Sequence, residues 1–162
     1  MNIRSAGEAD LPAILAIYND AVENTTAIWN ETPVDLVNRL NWFEARRAAG
    51  FPVLVAEEDG RVAGYGSFGD FRPFEGYRIT VEHSLYVAAD ARRKGLGKAL
   101  LAALIEEAGR MGKRRMIGGI DGTNESSIAL HEKFGFAEVG RLPGVGTKFG
   151  RPLDLVLMQK NL

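Results

Sequence analysis

Four groups of residues in this chain could carry chemistry. The first is "RRKGLGK", in which Arg92, Arg93, Lys94 and Lys98 surround Gly95, Leu96 and Gly97. Glycines in a turn that opens a helix aim free backbone N–H groups and the positive helix end at one point, which suits a phosphate or pyrophosphate. The second is Glu82, inside the β-rich run "ITVEHSLYV". Strand interiors disfavour Glu, so it is either a solvent-facing or ion-paired carboxylate or a base poised to take a proton. The third is the pair Asn124 and His131, seven positions apart. An Asn there can cap a helix or hydrogen-bond a ligand, and an imidazole exchanges protons near neutral pH. The fourth is the loop "FRPFEGYR". Its Phe71, Phe74 and Tyr77 can wall an apolar pocket around Gly76, Arg72 or Arg78 can grip a carboxylate, and Glu75 can meet an ammonium. Trp29 in "NTTAIWNE" offers an opposite wall.

These groups need elements to hold them. Ile3 and its neighbours form a short strand. From Asp10, Leu11, Ile14, Leu15, Tyr18 and Val22 recur at helical spacing. A second helix opens at "TPVD", with Thr32 as cap, Pro33 in the first helical position and Asp35 in the first turn, and Gly50 ends it. "FPVLVAEEDGRVAGYGSFGDF" gives two β-rich runs around Asp59-Gly60, a dipeptide favoured in type I′ hairpin turns. Arg78 to Val87 is a long strand ending just before the glycine turn. Leu96, Leu100, Leu101, Leu104, Ile105, Ala108 and Met111 then keep helical spacing up to a stop at Gly112. "MIGGI" is a strand, Ser126 to Phe134 a short helix ended by Gly135, and "FAEVGRL" and "LDLVLMQ" are final strands joined by the glycine-rich "PGVGTKFGRP". The order β-α-α-β-β-β-α-β-α-β-β describes an α/β (α+β) fold on a mixed sheet.

Composition narrows the function. The 162 residues, 46% of them hydrophobic, suffice for one globular domain spanning 1–162. Twenty Lys plus Arg against 21 Asp plus Glu leave a net charge of −1, which gives no global attraction to nucleic acid or anionic membrane. The chain has no cysteine, so thiolate metal sites, disulfides and a cysteine nucleophile are excluded and a reducing cytoplasm is the expected location. No stretch approaches the roughly 18 apolar residues of a membrane span, and the N-terminus lacks a signal-peptide core. Two phosphate-binding motifs fail on the glycine turn. A P-loop would need Gly where Arg92 stands and Ser or Thr where Ala99 stands, and a dinucleotide fingerprint would need Gly at Leu100.

The remaining pattern, Arg-x-x-Gly-x-Gly at Arg92, Gly95 and Gly97, follows a strand and opens a long helix. With "NESSIALHEKFGF" downstream and this element order, the chain resembles the GCN5-related N-acetyltransferases over nearly its whole length. "TVEHSLYV", "LHEKFGF" and "GTKFGRPLDLVLMQ" resemble the phosphinothricin and methionine sulfoximine acetyltransferase branch. The resemblance implies an acyl-CoA N-acyltransferase fold, a mostly antiparallel twisted sheet of about six or seven strands flanked by about four helices. It implies acetyl-CoA as cosubstrate, with its pyrophosphate on Arg92 to Lys98, its pantetheine arm along Leu85, Tyr86 and Val87, and Asn124 near that arm. It implies Glu82 as base and His131, where the wider superfamily carries Tyr, as proton donor; His83, on the opposite strand face from Glu82, reads as structural. The implied acceptor is a small amine, the α-amino group of methionine sulfoximine, methionine sulfone or phosphinothricin, attacked directly in a ternary complex without a metal. A homodimer is also implied. Acetylation of another amine (a protein N-terminus, a polyamine or an aminoglycoside) and a non-catalytic acyl-CoA sensor are the alternatives.

Overall fold

The computed structural model describes residues 1–162. Its elements are β1 (Asn2–Ser5), α1 (Leu11–Asn24), α2 (Leu36–Ala48), β2 (Val53–Glu58), β3 (Arg61–Asp70), β4 (Thr80–Val87), α3 (Leu96–Arg110), β5 (Arg115–Asp121), α4 (Glu125–Lys133), β6 (Ala137–Lys148) and β7 (Arg151–Asn161). They follow the order read from the sequence. One seven-stranded sheet carries them in the order β1-β2-β3-β4-β5-β7-β6. Every neighbouring pair is antiparallel except β4 and β5, which run parallel.

Both sheet faces are covered, and β2 shows how one strand serves two cores. Val53 and Val55 point to one face, where Leu11, Ile14 and Ile17 of α1 and Phe43 of α2 pack with Tyr65. Leu54 and Ala56 point to the other, under Leu96, Leu100, Leu101 and Leu104 of α3. This two-sided burial explains why "PVLVA" reads as a continuous apolar run rather than an alternating one. The α3 face comes close to the sheet because Gly64 and Gly66 of β3 leave room. A Cβ on Gly66 would lie 2.9 Å from Leu104 Cδ1 and 3.2 Å from Leu85 Cβ and the Ser84 carbonyl.

Three helices end alike. Gly50, Gly112 and Gly135 all have positive φ, and the residue after each donates its N–H to the carbonyl five positions back: Phe51 to Arg46, Lys113 to Ala108 and Phe136 to His131. This paired closure satisfies carbonyls that a helix end would otherwise leave bare. Asp59 and Gly60 have φ of 51° and 75°, as a type I′ turn requires.

Two expectations are corrected. The second helix starts at Leu36, with Asp35 rather than Thr32 as its cap; the Asp35 carboxylate accepts the Asn38 N–H at 2.9 Å. Pro33 lies outside because Asn19 of α1 pairs its side-chain amide with both the N–H and the carbonyl of Val34, each at 2.9 Å, and so fixes that segment. The segment after Leu142 is not a loop. β6 runs on to Lys148 through a register shift, paired to β7 up to Lys148 opposite Arg151, and the turn is confined to Phe149 and Gly150, with φ of 53° and 72°.

Gly66→Ala should cost about 1–3 kcal/mol by overpacking α3 on the sheet, lowering Tm by about 2–10 °C. Gly109→Ala, inside α3 where a Cβ would meet nothing within 4 Å, should raise Tm slightly. Thermal unfolding of the two variants beside the parent checks both signs.

Candidate active site

The site is a fork in the sheet. β4 and β5 pair only from Thr80–Arg115 to His83–Gly118, and beyond that step Ser84 to Val87 of β4 have no partner on the β5 side. β3 still pairs with β4 as far as Val87, and β5 with β7 as far as Asp121, so the two halves of the sheet diverge while each stays intact. The crotch of the fork holds two imidazoles. His83 of β4 and His131 of α4 are buried and stacked, with Nε2 to Nε2 at 3.0 Å. A Cβ on Gly118 would lie 3.1 Å from one Nε2 and 3.3 Å from the other, so glycine there makes room for the pair. Hydrogen-bond accounting fixes the tautomers. His131 Nδ1 lies 2.7 Å from the Ser127 carbonyl and must donate to it. In the neutral ring its Nε2 then accepts, so the His83 Nε2–H donates and His83 Nδ1 is left buried without a partner. Burial holds both imidazoles below their ordinary pKa, that of His83 at about 3.

Above the fork runs a groove of about 1070 Å³. Leu85, Tyr86, Val87, Arg92, Arg93, Gly95, Leu96, Gly97, Lys98 and Asn124 all line it, which unites ten of the eleven residues expected to hold a cofactor. The other, Lys94, pairs with Glu58 at 2.9 Å. Arg93 and Gly95 take positive φ, 66° and 89°, to swing the chain into α3, whose first-turn N–H groups have no acceptor within the helix. A Cβ on Gly97 would meet nothing closer than 3.7 Å, so the fold itself does not require glycine there. Arg92 braces the rim through the Val87 carbonyl at 3.3 Å and Asp20 of α1 at 3.4 Å. The Asn124 Oδ1 caps α4 by accepting the Ser127 N–H at 3.1 Å, which leaves its NH₂ available to the groove. A pyrophosphate fits the α3 turn, and an amide-bearing arm fits the unpaired edge of β4 as an added strand.

Glu82 lies on the opposite face from His83. It is half-buried, and its Oε1 leans toward β5, 3.3 Å from where a Cβ of Gly119 would be. Burial raises its carboxyl above the usual range, while Arg72 and Arg46 pull it down. The loop from Phe71 to Arg78 packs on itself: Phe71 and Tyr77 meet edge to face at 5.7 Å, Arg72 lies 4.5 Å over the Phe71 ring, and Arg78 donates to the Glu75 carbonyl. Glu75 and Gly76 form its short 3-10 turn, and Phe74 is exposed. Trp29 donates to the Thr26 carbonyl at 2.9 Å, and its ring fills the space over Gly146.

Several groove and site residues carry no signal in the sequence. Thr25, Thr26 and Ala27 after α1 line the groove, and Thr26 donates its hydroxyl to the buried Asp121 at the end of β5. Lys148 is wholly buried and donates to the carbonyls of Ala21, Thr25 and Ile28, holding that segment at the negative end of α1. Phe149 adds a backbone N–H to Glu31 at 2.7 Å. Arg46 approaches Glu82 from α2, although in sequence it reads only as a cation in a last helical turn. No group of three or more His, Cys, Asp or Glu is placed to hold a metal ion.

The chain is similar to known proteins in sequence and in fold. Residues 14–136 fit the model of the Acetyltransferase (GNAT) family. An L-methionine sulfoximine/L-methionine sulfone acetyltransferase of Pseudomonas paraeruginosa is 61% identical over 99% of this chain and 94% of its own length. A solved ribosomal-protein-alanine N-acetyltransferase from Brucella melitensis superposes with a TM-score of 0.98 at 61% identity, covering 100% of both chains. A phosphinothricin acetyltransferase from Sinorhizobium meliloti, solved in complex with acetyl-CoA, superposes with a TM-score of 0.97 at 40% identity, covering 99% of this chain and 88% of that one.

The buried imidazole pair makes the fold sensitive to mild acid. The unfolded chain takes up protons on these residues near pH 6.5 while the folded chain holds both imidazoles neutral to lower pH, so stability falls as pH drops below about 6.5, and for His83 the loss continues to its folded value of about 3. Each depressed imidazole contributes up to about 1.4 kcal/mol per pH unit in that window. Urea unfolding between pH 7 and 5 should show this loss, and His83→Gln, which leaves only His131, should make it shallower.

Proposed function

Because the chain belongs to the GNAT family of acetyltransferases, we propose that it moves the acetyl group of acetyl-CoA to the α-amino group of a small amino-acid analogue such as methionine sulfoximine, methionine sulfone or phosphinothricin. The observation that carries this reading is the fork itself: a base, Glu82, stands on one face of the strand whose unpaired edge faces the cofactor groove. The name of the Pseudomonas relative and the compact loop of aromatics and arginines from Phe71 to Arg78 support the acceptor class.

Acetyl-CoA supplies an activated thioester carbonyl when bound. The chain does the rest. Leu85, Tyr86 and Val87 offer backbone groups to the pantetheine arm, Arg92, Arg93 and Lys98 with the N–H groups at Gly95, Leu96 and Gly97 hold the pyrophosphate, and Asn124 contributes its NH₂, while Lys94 stays on Glu58 at the rim. A backbone N–H near Leu85 stabilises the negative charge that develops on the carbonyl oxygen. An amino acid's amine is mostly ammonium at neutral pH, and Glu82 takes its proton, directly or through water, so that the nitrogen lone pair can attack. Burial suits Glu82 to this by raising its proton affinity. His131 enters differently from the sequence expectation. Its neutral imidazole already uses both nitrogens, on Ser127 and His83, so it supports the floor of the fork; the second proton that the attacking nitrogen gives up on forming the amide passes through water to the departing thiolate. Trp29, Phe71, Phe74 and Tyr77 wall the acceptor, with Arg72, Arg78, Glu75 and Gly76 shaping its polar end.

The name of the Brucella structure favours a second reading, acetylation of a protein N-terminus. The same assay separates the two. We further place the enzyme in the cytoplasm as one domain and as a homodimer; β6 is an edge strand with Val139, Leu142 and Val145 exposed, a surface suited to a second copy.

With acetyl-CoA, release of thiol should be fast with methionine sulfone and near background with an alanine-initiated ribosomal peptide; the reverse order selects the second reading. Glu82→Gln should lower turnover on methionine sulfone by roughly 10²–10⁴ at neutral pH, with partial recovery in alkali where more amine is already neutral. Wild-type turnover of this variant from pH 6 to 9 would remove the base from the mechanism.

A further inference from the structure

Arg46 is a half-buried cation that forms no ion pair within the chain. It sits in the last turn of α2 and turns its guanidinium onto the sheet over Gly69 of β3. A Cβ on Gly69 would lie 1.6 Å from Nη1 and 2.7 Å from the guanidinium carbon, so this arginine occupies the place of the side chain that Gly69 lacks. Gly69 is the register partner of Glu82. Directly opposed residues of an antiparallel pair project to the same face with Cβ atoms about 4.5–5.5 Å apart, so the guanidinium stands beside the Glu82 side chain. Yet the two do not pair. The Glu82 carboxylate leans the other way, over Gly119, and Arg46 has no ion pair with Glu82 or Asp70 within 4.0 Å. Arg46 Nε is buried without any hydrogen-bond partner. A buried N–H left unpaired is costly, whereas a carboxylate held by the guanidinium's fork of donors forms one of the stronger polar contacts available.

We propose that Arg46 is a specificity-determining residue that binds the α-carboxylate of the acceptor, with Glu82 across the gap receiving its ammonium. A cation over β3 and an anion leaning to β5, separated by more than contact distance, form the complement of an amino-acid zwitterion. Arg72, from the loop after β3, acts on Glu82 more strongly than Arg46 does, and Asp70 is the first and Glu82 the second carboxylate acting on Arg46. Burial lowers the guanidinium's pKa, as expected for a cation awaiting its counter-ion. This assignment rests on the amino-acid acceptor proposed above.

The test compares kcat/KM for L-methionine sulfone with that for its amide, which keeps the amine and headgroup and lacks the carboxylate. The parent enzyme should prefer the acid, and Arg46→Gln should reduce that preference roughly ten- to hundredfold. Gly69→Ala, which displaces the guanidinium without removing its charge, should reduce it in the same direction. Using one substrate pair throughout cancels their difference in amine basicity. A general loss of folding or of Glu82 function would lower both substrates together and leave the ratio unchanged, so an unchanged ratio in both variants overturns the assignment while leaving the amino-acid acceptor standing. A parent enzyme with no preference for the acid overturns the assignment together with the reading beneath it.

Discussion

Everything at the site depends on the place where β4 and β5 stop pairing. A parallel pair inside an otherwise antiparallel sheet has no hairpin to hold it and relies on the α3 crossover, so it can end where packing dictates. Here it ends at His83 opposite Gly118, where two stacked imidazoles and α4 fill the crotch. Past that step β4 keeps β3 on one edge and offers bare backbone on the other. Buried backbone groups must be paired by something, so an open edge inside a groove is a request for a ligand that can act as a strand.

The two sides of the fork are then fastened from outside it. On one side the glycine turn of Gly95 directs α3 so that its N-terminus faces the groove. On the other, the tip of the β6–β7 hairpin reaches back to α1. Lys148 there lacks a carboxylate partner and is satisfied by the carbonyls at the end of α1 and in the segment that follows. With Trp29 on Gly146, Glu31 on Phe149 and Thr26 on Asp121, that segment is held at four points, and it forms the groove wall at Thr25 to Ala27. Residues far apart in the chain thus set the width of one cleft.

What was legible in the sequence was what the backbone decides locally. The helix stops at Gly50, Gly112 and Gly135, the turn at Asp59-Gly60 and the basic glycine turn into α3 each need a conformation that few residues tolerate, and the sequence declares it. What was hidden is decided by partners elsewhere. Thr32-Pro33 looks like a helix start, but Asn19, on another helix, holds the next residue. The glycines after Leu142 suggest a loop, but β7 supplies ladder partners that keep β6 going. Arg46 and Lys148 read as ordinary cations until tertiary packing places one beside Glu82 and encloses the other. His131 was visible as a candidate for chemistry, but its pairing with His83, 48 positions away, was not.

The account stands on the open edge of β4 being the seat of acetyl-CoA. Amide hydrogen exchange of Ser84 to Val87, read residue by residue with and without saturating acetyl-CoA, tests this directly. The amides of this segment that face β5 should exchange at least roughly tenfold more slowly in the complex, because the bound arm completes the ladder, while those bonded to β3 change little. Exchange on the β5-facing edge that is unaltered at saturation would place the cofactor elsewhere and contradict the account.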